Sequence, residues 1–220
     1  MHIKVANLTL GYDGKVVAKD INFSVDPGDY LCIVGENGTG KSTLLKALLN
    51  LHNPLSGEIK LEIERHEIGY LPQQDSIQKD FPASVWEIVL SGCVNRSVWR
   101  PFYNKAEKEL AKTAMEKANI TDLTKKCYRE LSGGQQQRIL LSRALVATQK
   151  IIVLDEPVAG LDPAAAAEMY KAINKINKDD GITVIMVSHD VDEAVKHASH
   201  ILHLYNKKPH FFGTVKEYNK

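Results

Sequence analysis

The chain reads as an α/β protein with a central, mostly parallel sheet, an N-terminal antiparallel β subdomain and an inserted helical subdomain. Continuous apolar runs, "IIVL" at 151–154 and "ITVIMV" at 182–187, are of the kind buried on both faces of a parallel sheet. Residues 2–10 and 15–25 instead alternate apolar and polar side chains around Asp13-Gly14, which predicts an antiparallel hairpin. From about 81 to 130 the pattern turns helical.

In chain order, the hairpin is followed by Leu31, Cys32, Ile33 and Val34, a short buried strand. Leu44, Leu45, Ala47, Leu48 and Leu49 then mark a helix, and "GEIKLEI" at 57–63 is a third strand able to join the hairpin. Leu110, Ala114 and Ala118 share one face of "NKAEKELAKTAMEKAN", with charges on the other. A helix is expected to begin near Gln135, and Asp162-Pro163 opens another with a cap and a first-turn proline. No internal repeat or low-complexity linker interrupts this, so residues 1–220 are expected to form one domain, its helical subdomain at approximately 81–130.

Composition narrows the function classes. At 220 residues, 44% hydrophobic and 25% charged, the chain can bury a core of ordinary size. A net charge of +1 offers no basic field for nucleic acid. The start, "MHIKVANLTLGYDGK", has no apolar stretch of signal-peptide type, and no run is long enough to span a bilayer, so a cytoplasmic chain is expected. Cys32, Cys93 and Cys127 lack C-x-x-C spacing and read as small buried hydrophobes rather than disulfides or ligands.

"GENGTGKST" at 35–43 fits the phosphate-cradling template G-x-x-x-x-G-K-[ST], preceded by the strand and followed by the helix that the template needs. Gly35, Gly38 and Gly40 let the backbone curl, with Asn37 among them, so that several N–H groups point inward at the positive end of a helix. Lys41 would reach the β- and γ-phosphates, Ser42 would ligate the Mg²⁺ that bridges them, and Thr43 could add a phosphate contact. The expected class is a P-loop NTPase. "IIVLDEP" at 151–157 ends its apolar run in two carboxylates, where a strand's end presents chemistry to a ligand. Asp155 would hold Mg²⁺ through water, and Glu156 would orient or deprotonate an attacking water.

"ELSGGQQQRILLSRAL" at 130–145 places Ser132, Gly133 and Gly134 ahead of a helix and Gln135 at its start, a second anion-binding helix N-terminus. "LSGGQ" resembles the signature of ATP-binding cassette (ABC) ATPases, and the order of phosphate loop, signature and "IIVLDEP" matches that family across nearly the whole chain. The resemblance implies a homodimer of cassettes packed head to tail, each signature closing over the ATP held by the other copy's loop. It also matches Tyr12, in "GYDGK", with an aromatic that stacks on adenine, and Gln73, in "GYLPQQ", with a glutamine that senses Mg²⁺ and the γ-phosphate. Asp162, in "AGLDP", matches an aspartate at the dimer seam, and His189, ending "VIMVSHD", a histidine that contacts the γ-phosphate. Lys41, Gln73, Glu156 and His189 would then be the catalytic set.

Most single cassettes of this length resemble the ATPase subunit of a transporter, peripheral on the inner face of the membrane through a separate permease. The segment where permeases of the family dock is here "FPASVWEIVLSGCVNRSVWRPFYNK", with Phe81, Trp86, Trp99, Phe102 and Tyr103. Aromatics of this density suit an interface and equally a local core. "GYLPQQ" followed by "FPASVWEIVLSG" looks like the zinc and manganese uptake branch, in which an extracellular solute-binding protein and the permease select the ion. The departures from that branch are Ala83-Ser84 where a threonine is more usual, Trp86, and a sequence ending soon after "FFGTVKEY", from which no regulatory domain is expected. Rival readings are a cassette serving another solute and a soluble non-transport ABC ATPase. His197, His200 and His203 fall three apart, but across a helix-to-strand junction, which argues against one metal site.

Overall fold

The computed structural model describes residues 1–64, 67–73, 80–96, 102–148 and 150–218, the side chains of 95 and 96 excepted. Trp99 of the aromatic segment lies outside them. β1 (Ile3–Tyr12) and β2 (Lys15–Val25) form the expected hairpin, and β4 (Ser56–Leu61) pairs with β1 on its other side, giving an antiparallel sheet of order β2-β1-β4. Leu8, Leu10, Ala18 and Ile21 are fully buried from one face of this sheet.

The second sheet has the order β5-β6-β7-β3-β8-β9, from β3 (Tyr30–Gly35), β5 (Ile68–Leu71), β6 (Ile151–Asp155), β7 (Thr183–Ser188), β8 (His200–Tyr205) and β9 (Lys208–Thr214). All pairings are parallel except β8 with β9. The strand period divides the core in two. Cys32, Val34, Ile152, Leu154, Val184 and Met186 face one cluster, and Leu31, Ile33, Ile151, Val153, Ile185 and Val187 face the other. The first is covered by helices, the second by α1 (Lys41–Leu48) and the antiparallel sheet. That arrangement is why these strands read as unbroken apolar runs.

The helical stretch holds α2 (Val85–Leu90) and α3 (Lys105–Lys117), and α4 (Gly133–Ala147) follows it; each is opened by a reciprocal capping box: Ser84 with Glu87, Asn104 with Glu107 and Ser132 with Gln135. Two expectations shift here. α4 begins at Gly133 rather than near Gln135, because the Ser132 hydroxyl accepts from the Gln135 N–H, one full turn inside the helix. Ser84 serves where a threonine is more usual because the position asks only for a hydroxyl cap. Ala114 and Ala118 are buried as expected, while Leu110 is only half-buried. α5 (Pro163–Asp180) starts under the Asp162 cap, and α6 (Val191–His197) follows β7. Among the described residues no helix is long and apolar enough to cross a membrane.

Candidate functional site

The parallel register lines up strand ends. Leu71 pairs with Leu154, Asp155 with Val187, and Val34 with Ser188. The residues just beyond are therefore Gly35, Gln73, Glu156 and His189, all at the carboxyl edge of one sheet, where an α/β fold presents chemistry. His189 lies one residue past β7 rather than at its end, which leaves its side chain exposed.

In the loop 35–43, Gly35, Gly38 and Gly40 all have positive φ. A Cβ on Gly35 would stand 2.3 Å from the Leu204 carbonyl oxygen, and one on Gly40, at φ 97°, 2.9 Å from Ala18 Cβ. Gly40→Ala is expected to weaken ATP binding about tenfold, since left-handed backbone costs a Cβ-bearing residue about 1–2 kcal/mol before the clash is added. Titration with ATP checks this, and unchanged affinity would mean the loop need not be this tight. Lys41 is buried, and its Nζ donates to the carbonyls of Gly35 at 2.7 Å and Glu36 at 2.9 Å. An ammonium has three donors, so one remains for a phosphate oxygen. Burial lowers its pKa, with Glu156 and Asp155 pulling the other way. Thr39, not anticipated from sequence, donates its hydroxyl to the Glu36 carbonyl at 2.8 Å and braces the loop from within. Asn37 is exposed and Thr43 half-buried.

Asp155 ends β6 buried, and Ser42 donates to its Oδ1 at 3.3 Å. Burial raises the carboxyl's pKa, the neighbouring Glu156 adds to this, and the Ser42 hydrogen bond opposes it. Glu156 has φ 49°, left-handed for a residue that is not glycine. In an extended strand, successive carboxylates point to opposite faces. The kink turns both toward the same edge, and the Glu156 N–H donating to the Val187 carbonyl at 3.2 Å holds it. Gln73 Nε2 donates to Glu156 Oε2 at 3.4 Å, and His189 Nδ1 stands 3.9 Å from the same oxygen. The structure thus ties Gln73 to Glu156 rather than to the Ser42–Asp155 pair. Ser42 and Asp155 offer hard oxygen donors at a buried carboxylate, a set that fits Mg²⁺ and whose ionised form a cation would favour.

The other expected residues divide between two places. Tyr12, 45% exposed, ends β1 opposite Lys15, on the same hairpin whose Val17 and Ala18 would crowd a Cβ on Gly40. Ser132, Gly133 and Gln135 form the capped start of α4, beside the start of α5, where a Cβ on Gly134 would lie 2.6 Å from Ala165 Cβ. Asp162 accepts from Ala165 N–H at 3.0 Å as the α5 cap. Among the described residues no hydrogen bond joins the 132–135 turn to the phosphate loop. The three histidines separate as expected: His197 stacks on Tyr170, His200 neighbours Asp29, and His203 bonds Tyr218.

In the aromatic segment, Phe81 and Phe102 are exposed, whereas Trp86 and Tyr103 pack against the core, so the segment is part surface and part core. Phe81, Ala83, Ile88, Tyr128 and Leu140 line a cleft of about 350 Å³, with Arg143 and Glu87 at its margin.

A family model described as ABC transporter matches residues 18–159. The manganese transport system ATP-binding protein MntB of Bacillus subtilis is 38% identical over 217 residues, covering 96% of this chain and 86% of its own. The zinc uptake system ATP-binding protein ZurA of Listeria innocua is 32% identical over 98% of this chain and 87% of its own. A solved structure described as a dimeric post-hydrolysis state of the ATP-binding cassette MJ0796, bound to ADP and Pi, matches with a TM-score of 0.80 and 25% identity, over 97% of this chain and 98% of that one.

Proposed function

The chain belongs to the ABC transporter family, and from that premise we propose that it is the ATP-hydrolysing subunit of a membrane transporter that imports a divalent metal ion, zinc or manganese. The observation that carries the ATPase part is the grouping of Asp155, Glu156 and His189 at the carboxyl ends of parallel strands, with Lys41 at the start of α1 reaching back to the Gly35 carbonyl that ends β3. The metal part is supported by relatives whose names give manganese and zinc, and by the segment from Phe81 to Gly92.

In this reading residues 1–220 act as one cassette, with 81–130 as the helical subdomain. Backbone N–H groups of 35–43 and Lys41 bind the β- and γ-phosphates, with Ser42 and Asp155 placed to hold Mg²⁺. When bound, that ion neutralises charge on the phosphate oxygens. Glu156, held by Gln73 and His189, orients a water in line with the γ-phosphate and takes up its proton. Tyr12 receives the adenine. A second copy completes the cage with its signature turn, Ser132 to Gln135, and contributes Asp162 at the seam. The permease docks a helix in the cleft beside Phe81, which places the chain on the inner face of the membrane. A solute-binding protein delivers the ion from outside.

Cells lacking this chain, grown in metal-limited medium, test the proposal by their elemental content. A selective loss of zinc or manganese, restored by wild type and not by Glu156→Gln, is expected. Unchanged zinc and manganese would overturn the substrate class and point to another solute.

A further inference from the structure

We infer that His52 is a positioning residue for the nucleotide base: it backs the Tyr12 ring and fixes the face on which adenine stacks. The inference rests on the reading of Tyr12 as the base platform. The ring centroids of Tyr12 and His52 are 4.4 Å apart with planes tilted by 39°, within aromatic contact. Tyr12 is 45% exposed, so with one face covered by imidazole it keeps the other for a ligand. His52 Nε2 is buried with no hydrogen-bond partner, an arrangement that proteins ordinarily avoid. The ring therefore gains its place from the tilted aromatic contact rather than from a polar bond at Nε2.

His52 does not belong to the hairpin that carries Tyr12. It follows α1, in a segment anchored where Leu51 N–H donates to the Lys46 carbonyl and Leu55 N–H to the Thr9 carbonyl of β1. α1 itself begins at Lys41. One piece of chain, 35–55, so carries the phosphate loop at one end and the support of the base platform at the other. A surface tyrosine at a hairpin tip would otherwise swing freely, and adenine would have to immobilise it on arrival; a ring already held loses less entropy on binding.

The test compares binding of ATP with that of inorganic tripolyphosphate, both with Mg²⁺, by titration calorimetry. His52→Ala is expected to weaken ATP roughly two- to tenfold, the range of one aromatic pair, and to leave tripolyphosphate unchanged. His52→Phe, which keeps a flat ring and drops the nitrogens, should restore ATP affinity. Should His52→Ala melt early, His52→Leu fills the volume without a flat face and is expected to show the same selective loss. Equal weakening of both ligands would mean a merely structural role and overturn the inference. So would an unchanged ratio in His52→Ala and His52→Leu while Tyr12→Ala lowers it. An unchanged ratio in Tyr12→Ala would instead remove the base-platform reading on which the inference stands.

Discussion

Glu156→Gln is expected to lower ATP turnover about 100-fold or more, the usual scale for loss of a general base, while ATP still binds and two copies stay together. The substitution keeps the size of the side chain and one of its oxygens. It removes the negative charge that could take a proton from water, and among the described residues neither neighbour at the sheet edge is placed to replace it. Asp155 lies buried with Ser42 donating to it, and His189 Nδ1 stands 3.9 Å from Glu156 Oε2, outside hydrogen-bond reach. The phosphate loop, by contrast, is built from Gly35 to Thr43 and makes no use of the Glu156 carboxylate for its own geometry. Binding and hydrolysis are therefore separable at this one position. With ATP bound and uncleaved, its phosphates continue to hold a second signature turn against the loop. Gel filtration with ATP and Mg²⁺ should show a dimer for the variant, alongside a monomer when nucleotide is withheld. Turnover at the wild-type rate would mean that the water is activated by another group, and His189 would be the first to examine.

What the sequence made legible follows from what each signal measures. Apolar runs at 151–154 and 182–187 report burial on both faces, and they became β6 and β7 in the middle of the parallel sheet. The alternation before and after Asp13 reports burial on one face, and it became β1 and β2. The phosphate loop was readable because glycine, lysine and serine sit at fixed offsets, so the chemistry is local. The left-handed kink at Glu156 was not, since glutamate has no preference for positive φ. What holds it is the Glu156 N–H bond to the Val187 carbonyl of β7, a long-range contact that spacing alone does not express. Thr39 bracing the loop and His52 behind Tyr12 were missed for related reasons: one is an unmarked residue inside a motif, and the other touches a ring forty positions earlier in the chain. The aromatic segment stayed divided because composition cannot tell a surface from a core. Phe81 is exposed and Trp86 packs inward only through the way α2 is seated.

The second large effect concerns the division of the site between copies. Within one chain the phosphate loop packs on Val17, Ala18 and the Leu204 carbonyl, whereas the signature turn packs on Ala165 at the start of α5. In the proposed arrangement these two helix ends share one triphosphate because a second copy brings its signature to the first copy's loop. Lys41→Ala and Ser132→Arg are each expected to lower turnover about 100-fold or more, because in the proposed mechanism each removes a group that stabilises charge on the transferred phosphoryl. The Ser132 side chain is an exposed cap, so its loss costs only about 1 kcal/mol of stability. The informative experiment mixes the two inactive variants. In a mixed dimer one site has both defects, and the other has an intact Lys41 from one copy and an intact Ser132 from its mate. If the two sites turn over independently, an equal mixture should regain about a quarter of the wild-type rate, half of the dimers being mixed and each keeping one good site of two. A mixture as inactive as its components would place loop and signature on the same nucleotide within a single chain, and the head-to-tail arrangement would have to be abandoned.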